Sequence, residues 1–185
     1  MYKRQDKYAG SIEKRCEFAA EIIRLIRLEL GSDYPIILRW SQWKMQNYEA
    51  KLAHNPKELE AFLTPLVTAG IDIFHCSQRR FWEPEFEKSH LNLAGWVKKI
   101  SSKPTITVGS IGLDADFISN PDQRGFSEAE PASLNELLTR LDNDEFDLIA
   151  VGRALISNPN WVKHIQNNED QKIKSFKKEH LRQLI

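Results

Sequence analysis

Pro104-Thr105-Ile106-Thr107-Val108-Gly109-Ser110 and, further along the chain, Asp147-Leu148-Ile149-Ala150-Val151-Gly152-Arg153 are the two stretches on which the fold turns. Each is a short apolar, β-branched run that breaks at a glycine. Runs of this kind without clean polar alternation suit strands of a parallel sheet covered by helices. Working outward, Ile36-Ile37-Leu38, led in by Pro35, and Ile71-Asp72-Ile73-Phe74-His75 read as two earlier strands.

Helical periodicity fills the gaps. Asn55-Pro56 opens a helix through Leu59, Phe62, Leu63 and Leu66 to Gly70; proline is tolerated there because its missing N–H would be unpaired in a first turn. Leu93 to Ile100 reads as a short helix with Trp96 and Val97 inward. Leu134, Leu137, Leu138 and Leu141 form another stripe, and Asn158-Pro159 opens a last helix carrying Trp161 and Ile165. Before the first strand, Ile12, Cys16, Ala19, Ile23, Ile26 and Leu30 recur at helical spacing. Ser11 suits the cap, Glu13 the first turn and Gly31 the end. The opposite face, with Lys14, Arg24 and Arg27, reads as solvated. Ser119 to Glu130 is polar and rich in turn residues, and the tail from Gln166 to Ile185 is polar enough to fray. The chain thus reads as one helix followed by four strand–helix units, three of them spaced roughly 35 residues apart, enough for a strand, a crossover helix and two loops. Such units build either an open doubly wound sheet or half of an eight-stranded barrel, and pattern alone leaves both open.

Composition narrows the function classes. With 26 basic and 26 acidic residues in 185, the chain lacks the basic excess of a nucleic-acid surface. Its length suits a single domain over 1–185. No apolar run approaches the roughly 18 residues of a membrane span. Met1 to Gln5 has no apolar stretch behind it and is no secretory signal. Two cysteines, Cys16 and Cys76, are too few for a disulfide scaffold and point to thiols in a reducing cytoplasm.

Three positions carry candidate chemistry. Gly109, followed by Ser110, and Gly152, followed by Arg153, stand where strands run into loops. Without side chains, these glycines let a ligand approach the backbone and leave N–H groups free for an anion. Arg153 adds a planar fork of donors matched to phosphate oxygens, and the loops after the last two strands of (β/α)8 barrels often bind phosphate. Arg39 ends the first strand at the same rim, either paired with a carboxylate or facing an electron-rich ligand. His75-Cys76 has no spaced set of ligands around it, so no metal site is expected.

These stretches resemble a known family. Asp6-Lys7-Tyr8-Ala9-Gly10-Ser11-Ile12-Glu13-Lys14-Arg15 is similar to the D-x-Y-G-G-S-x-E-N-R segment that opens the fourth barrel helix of old yellow enzyme relatives, departing from it at Ala9 and Lys14. The Arg39 strand, the Asp72 to Ser77 strand, the Val108-Gly109 end, the Val151-Gly152-Arg153 end and Asn158-Pro159 follow in the family's order. The resemblance runs from Asp6 to about Trp161. It implies an α/β chain of (β/α)8 TIM-barrel type, here the last four βα units preceded by one helix. It also implies a flavoprotein: an FMN-dependent, NAD(P)H-driven oxidoreductase of the ene-reductase type that passes a hydride to a small, electron-poor acceptor. By the same resemblance, Arg39 lies near the flavin pyrimidine edge, and Gly109, Ser110, Gly152 and Arg153 hold the FMN phosphate. Phe81 and Trp82, in the loop Gln78 to Pro84, either wall the substrate pocket or pack that loop onto the barrel.

The family's first four strands have no counterpart here. The His-His or His-Asn pair that binds the substrate carbonyl and the proton-donating tyrosine go with them, so no catalytic residue is assigned. Met1 to Gln5 fits the family poorly, which points to a truncated reading frame or to a lead-in not native to the gene, ahead of a truncated FMN-binding barrel domain. A half barrel would expose unpaired strand edges and would be expected to self-associate, to pair with its missing half, or to pack loosely, and to be inactive alone. Two other readings stay open: a βα-barrel enzyme acting on a sugar phosphate, and a non-catalytic fragment that only pairs with its complement.

Overall fold

The computed structural model describes residues 4–44, 47, 49–117 and 127–182. The first three residues of the lead-in, most of the polar 119–130 stretch and the last three residues lie outside that set. The described residues form one sheet of four parallel strands in chain order: β1 (Ile37–Ser41), β2 (Ile73–Ser77), β3 (Thr105–Val108) and β4 (Leu148–Ile149). In register, Arg39 stands opposite His75, His75 opposite Ile106 and Ile106 opposite Leu148. The helices are α1 (Ile12–Leu30), α2 (Pro56–Thr68), α3 (Leu93–Ser101), α4 (Asn135–Asp142), α5 (Arg153–Ser157) and α6 (Trp161–Gln166).

Local signals explain the helix starts. The Ser11 hydroxyl accepts from the Lys14 amide, Asn55 Oδ1 from the Glu58 amide at 2.9 Å and Asn92 Oδ1 from the Gly95 amide at 3.0 Å. Each of these bonds satisfies a donor that the first turn leaves without a partner. Alternation within the strands sorts the two faces of the sheet. Phe74, Cys76, Thr105 and Thr107 are buried under the helices, with Leu38 and Trp40 packed against the same core. The other face carries Ile37 and Leu148, about half exposed at 51% and 52%, on the two edge strands. This is the face that a closed barrel would turn inward.

Two expectations need correction. The far side of α1 is not simply a solvated polar face. Cys16, Ala20 and Ile23 pack into the core, yet Phe18, Ile22 and Leu25 form a second, exposed apolar stripe. Arg27, assigned to solvent, is instead a hub. Its Nη1 donates to the carbonyls of Gly31, Ser32 and Tyr34 at 2.8–3.0 Å, and its Nη2 donates to Gly70 O at 2.7 Å and to Asp72 at 2.5 Å. Asp72 also accepts from the Ile36 amide, which with the Arg27 guanidinium holds its carboxyl below the usual range. The polar tail also docks rather than frays. Phe176 is fully buried and pairs with Ala129 through two backbone bonds, while the Asn158 side chain bonds both the amide and the carbonyl of Lys174.

Candidate functional site

The loops that follow the strands meet at the C-terminal rim of the sheet. The loop after β2 is zipped to β3: the Gln78 amide donates to Val108 O at 3.2 Å and the Phe81 amide to Gly109 O at 3.0 Å. That zipper explains glycine at 109. A Cβ there would lie 2.7 Å from Gln78 O, and φ is +152°. Ser110 follows at φ +52°, and its hydroxyl lies 3.0 Å from Arg79 O and 3.1 Å from Ala115 O.

These turns enclose a cavity of about 370 Å³, within the usual range for a cofactor site. Arg39, Gly109, Ser110, Gly152 and Arg153, far apart in sequence, all line it. Gly152 faces open space, since a Cβ there would meet no atom within 4 Å. Among the described residues, the amide N–H groups of Gly109, Ser110, Gly152 and Arg153 donate to no protein acceptor. Unpaired backbone donors at a cavity wall are costly unless water or a ligand meets them, and an anion meets them best.

Arg153 does more than line the wall. It donates through Nη2 to Ala115 O at 2.5 Å, and through Nη1 to Asp116 O at 3.1 Å and Ser127 O at 3.3 Å. Its guanidinium also lies over the Phe176 ring, 5.5 Å from the centroid. Burial pulls its pKa down from the ordinary arginine value, against the opposing pull of Asp116 and Asp114. The residue therefore folds the loop after β3 as well as placing charge at the cavity.

Arg39 is held from the neighbouring strand, with Nη1 2.5 Å from His75 Nε2 and Nη2 3.2 Å from Ser77 Oγ. The carboxylate partner that one reading expected for it is replaced by an imidazole and a hydroxyl.

Phe81 and Trp82 are not on the cavity. Phe81 is buried in the core with Trp82 edge-on to it, and the loop is locked by Asn92, whose Nδ2 donates to Phe81 O at 2.9 Å. The apolar wall comes instead from Trp43, Ile111, Leu113, Phe117 and Ile156. Sequence reasoning also missed Arg79 and Asp116. Asp116 is buried at 1% exposure and is clasped by Arg79 through Nε at 2.8 Å and through Nη2. A lone aspartate in a loop gives no sign of this; the one legible signal is Arg79, two residues past the end of β2. Among the described residues no cluster of side chains has the makings of a metal site.

A parallel sheet whose loops gather round a cavity at the C-terminal rim is the arrangement of an α/β fold, in which ligand sites collect at the ends of the strands. The family model for the NADH:flavin oxidoreductase / NADH oxidase family matches residues 1–124, and the chain belongs to that family. It is 30% identical over 180 residues to an NADH oxidase of Thermoanaerobacter brockii, a match covering 93% of this chain and 24% of that protein. It is 28% identical to an NADPH dehydrogenase of Clostridium acetobutylicum, covering 86% of this chain and 41% of the relative. Among solved structures, the old yellow enzyme homologue of Zymomonas mobilis superposes with a TM-score of 0.64 at 15% identity, over 96% of this chain and 43% of that one. The chain thus spans between a quarter and about two fifths of these proteins, and its four strands correspond to part of their barrel. No helix among the described residues is long and apolar enough to cross a membrane.

Proposed function

We propose that this chain supplies the phosphate side of an FMN site. The complete protein would be an ene-reductase-type oxidoreductase that passes a hydride from NAD(P)H to an electron-poor acceptor. Bound FMN supplies the redox chemistry, taking up a hydride and releasing it. The chain's own residues bind and orient. The amides of Gly109, Ser110, Gly152 and Arg153 meet the phosphate oxygens, and Arg153 adds its charge. Arg39, on the opposite side of the cavity, balances negative charge on the flavin pyrimidine edge without any proton transfer. The apolar wall from Trp43, Phe117 and Ile156 excludes water from the ring system.

The observation that carries this reading is that Arg39, Gly109, Ser110, Gly152 and Arg153 line one cavity, and that the amides of the last four have no protein acceptor among the described residues. The test is an FMN titration of the purified chain, followed by flavin fluorescence and the visible spectrum. Saturable binding is expected. Arg153→Ala should weaken it about ten- to a hundredfold, the worth of a charge-assisted bond. A folded chain that binds no FMN, or an Arg153→Ala affinity equal to the parent's, refutes the assignment.

A specific observation favours a second reading beside it. Ile37 and Leu148 stand half exposed on strands with a free edge, and α1 carries the uncovered stripe of Phe18, Ile22 and Leu25. These surfaces favour a chain that is inactive alone and completes its barrel with complementary βα units. Two buried free thiols, Cys16 and Cys76, fit a reducing, cytoplasmic setting.

A further inference from the structure

His75 belongs to no role described so far, and its placement gives it one. Arg39 and His75 stand opposite each other on adjacent strands and project from the same face of the sheet. Arg39 Nη1 lies 2.5 Å from His75 Nε2, and Arg39 Nη2 lies 3.2 Å from Ser77 Oγ. A guanidinium has donors and no acceptor. Arg39 Nη1 also lies 3.4 Å from His75 Nδ1, so a ring nitrogen must be the acceptor, Nε2 being the nearer, and a ring that accepts from Arg39 is neutral. Arg39 and Ser77 both line the cavity. The imidazole and the Ser77 hydroxyl thus hold the arginine from β2.

We propose that His75 is a positioning residue for Arg39: its neutral ring holds the guanidinium in the cavity, and protonation of that ring releases it. An imidazolium would present N–H where Arg39 needs a lone pair, and would place two positive charges in contact. Among the described residues, the strand neighbours of His75 offer no compensating charge. Arg39 faces His75 from β1, the apolar Ile106 stands opposite it on β3, and Ile73 and Ser77 flank it on its own strand. Burial, then the Arg39 charge, holds the imidazole below its ordinary pKa. The clamp is therefore engaged at neutral pH and lost on acidification. In its ligand-binding consequence the proposal rests on the flavin reading above; the clamp itself does not.

The experiment has two arms. In the first, without flavin, the His75 ring is titrated by NMR in the parent and in Arg39→Met. The Nδ1–H tautomer and a depressed titration point are expected in the parent, with the point moving up towards an ordinary histidine in the variant. Identical titrations in the two proteins overturn the proposal. In the second arm, FMN affinity is measured from pH 8 to pH 5 in the parent, His75→Gln and His75→Phe. The parent should lose roughly tenfold across that range, the scale of one charge-assisted bond. His75→Gln, whose amide oxygen accepts from Arg39 but does not titrate, should keep only the shallower slope set by the FMN phosphate's own second ionisation, at about pH 6. His75→Phe should bind weakly throughout. A slope in His75→Gln equal to the parent's overturns the proposal. If the first arm shows coupling and the folded parent binds no FMN at any pH, the clamp stands and the flavin reading falls.

Discussion

Gly109→Ala tests the architecture of the rim most directly. The added Cβ would lie 2.7 Å from Gln78 O, 3.1 Å from Gln78 C and 3.2 Å from Arg79 C. All three are backbone atoms, so no side chain can swing aside. The residue also sits at φ +152°, which an L side chain rarely adopts. Backbone strain of this kind costs about 1–3 kcal/mol and over-packing about 1–3 kcal/mol, for a combined loss of roughly 2–6 kcal/mol. Typical domain stability is about 5–15 kcal/mol, so the variant should fold but melt early. It should also lose cavity affinity, because relief of the clash must push the loop after β2 off Gly109 O. Urea unfolding followed by tryptophan fluorescence gives the stability, and Gly152→Ala, where a Cβ meets nothing within 4 Å, is the control. A Gly109→Ala midpoint indistinguishable from the control would refute the reasoning.

Two further outcomes are expected. Glu85 is largely buried, and desolvation raises its pKa despite Lys51 and Gln42. The folded carboxyl therefore holds its proton to higher pH than the unfolded one, and stability falls as pH rises from the unfolded value through the folded one. Glu85→Gln should then be the more stable protein at pH 7, with the gap closing under acid, as read by urea midpoints at both pH values; a gap of constant size contradicts the burial argument. Arg140 donates to the nearly buried Glu145 at 3.2 Å and to the carbonyls of His90 and Trp82. Arg140→Met leaves that carboxylate without its cation and should cost about 3–5 kcal/mol, measured by the same unfolding assay; a loss under about 1 kcal/mol would mean that the pair is solvated.

The elements that pattern made legible are those with strong local signals. The caps at Ser11 and Asn55, the stripe of α2 and the β-branched run of β3 all fall where spacing put them. β4 is shorter than its apolar run: the amides of Asp147 and Ala150, just outside it, donate to Thr105 O and Thr107 O of β3. α5 leaves no signature in the sequence, because five residues after a glycine are too few to show a period. The same limit applies at the cavity. Arg39, Gly109 and Gly152 could be picked out because strand ends must share a rim. The Arg79–Asp116 pair and the burial of Phe81 depend on how two loops fold against each other, and no local spacing encodes that. Arg27 was misread because helical periodicity reports which face a side chain leaves from, not how far its tip can reach.

That reach has its own consequence. The acceptors gathered by Arg27 belong to the turn into β1 and the turn into β2, at the rim away from the cavity. One guanidinium there staples the chain where strands enter the sheet, while the cavity lies where strands leave it. On the flavin reading, heat tolerance and ligand affinity would then sit at opposite ends of the same strands, and changes at the entry end would leave the exit end untouched.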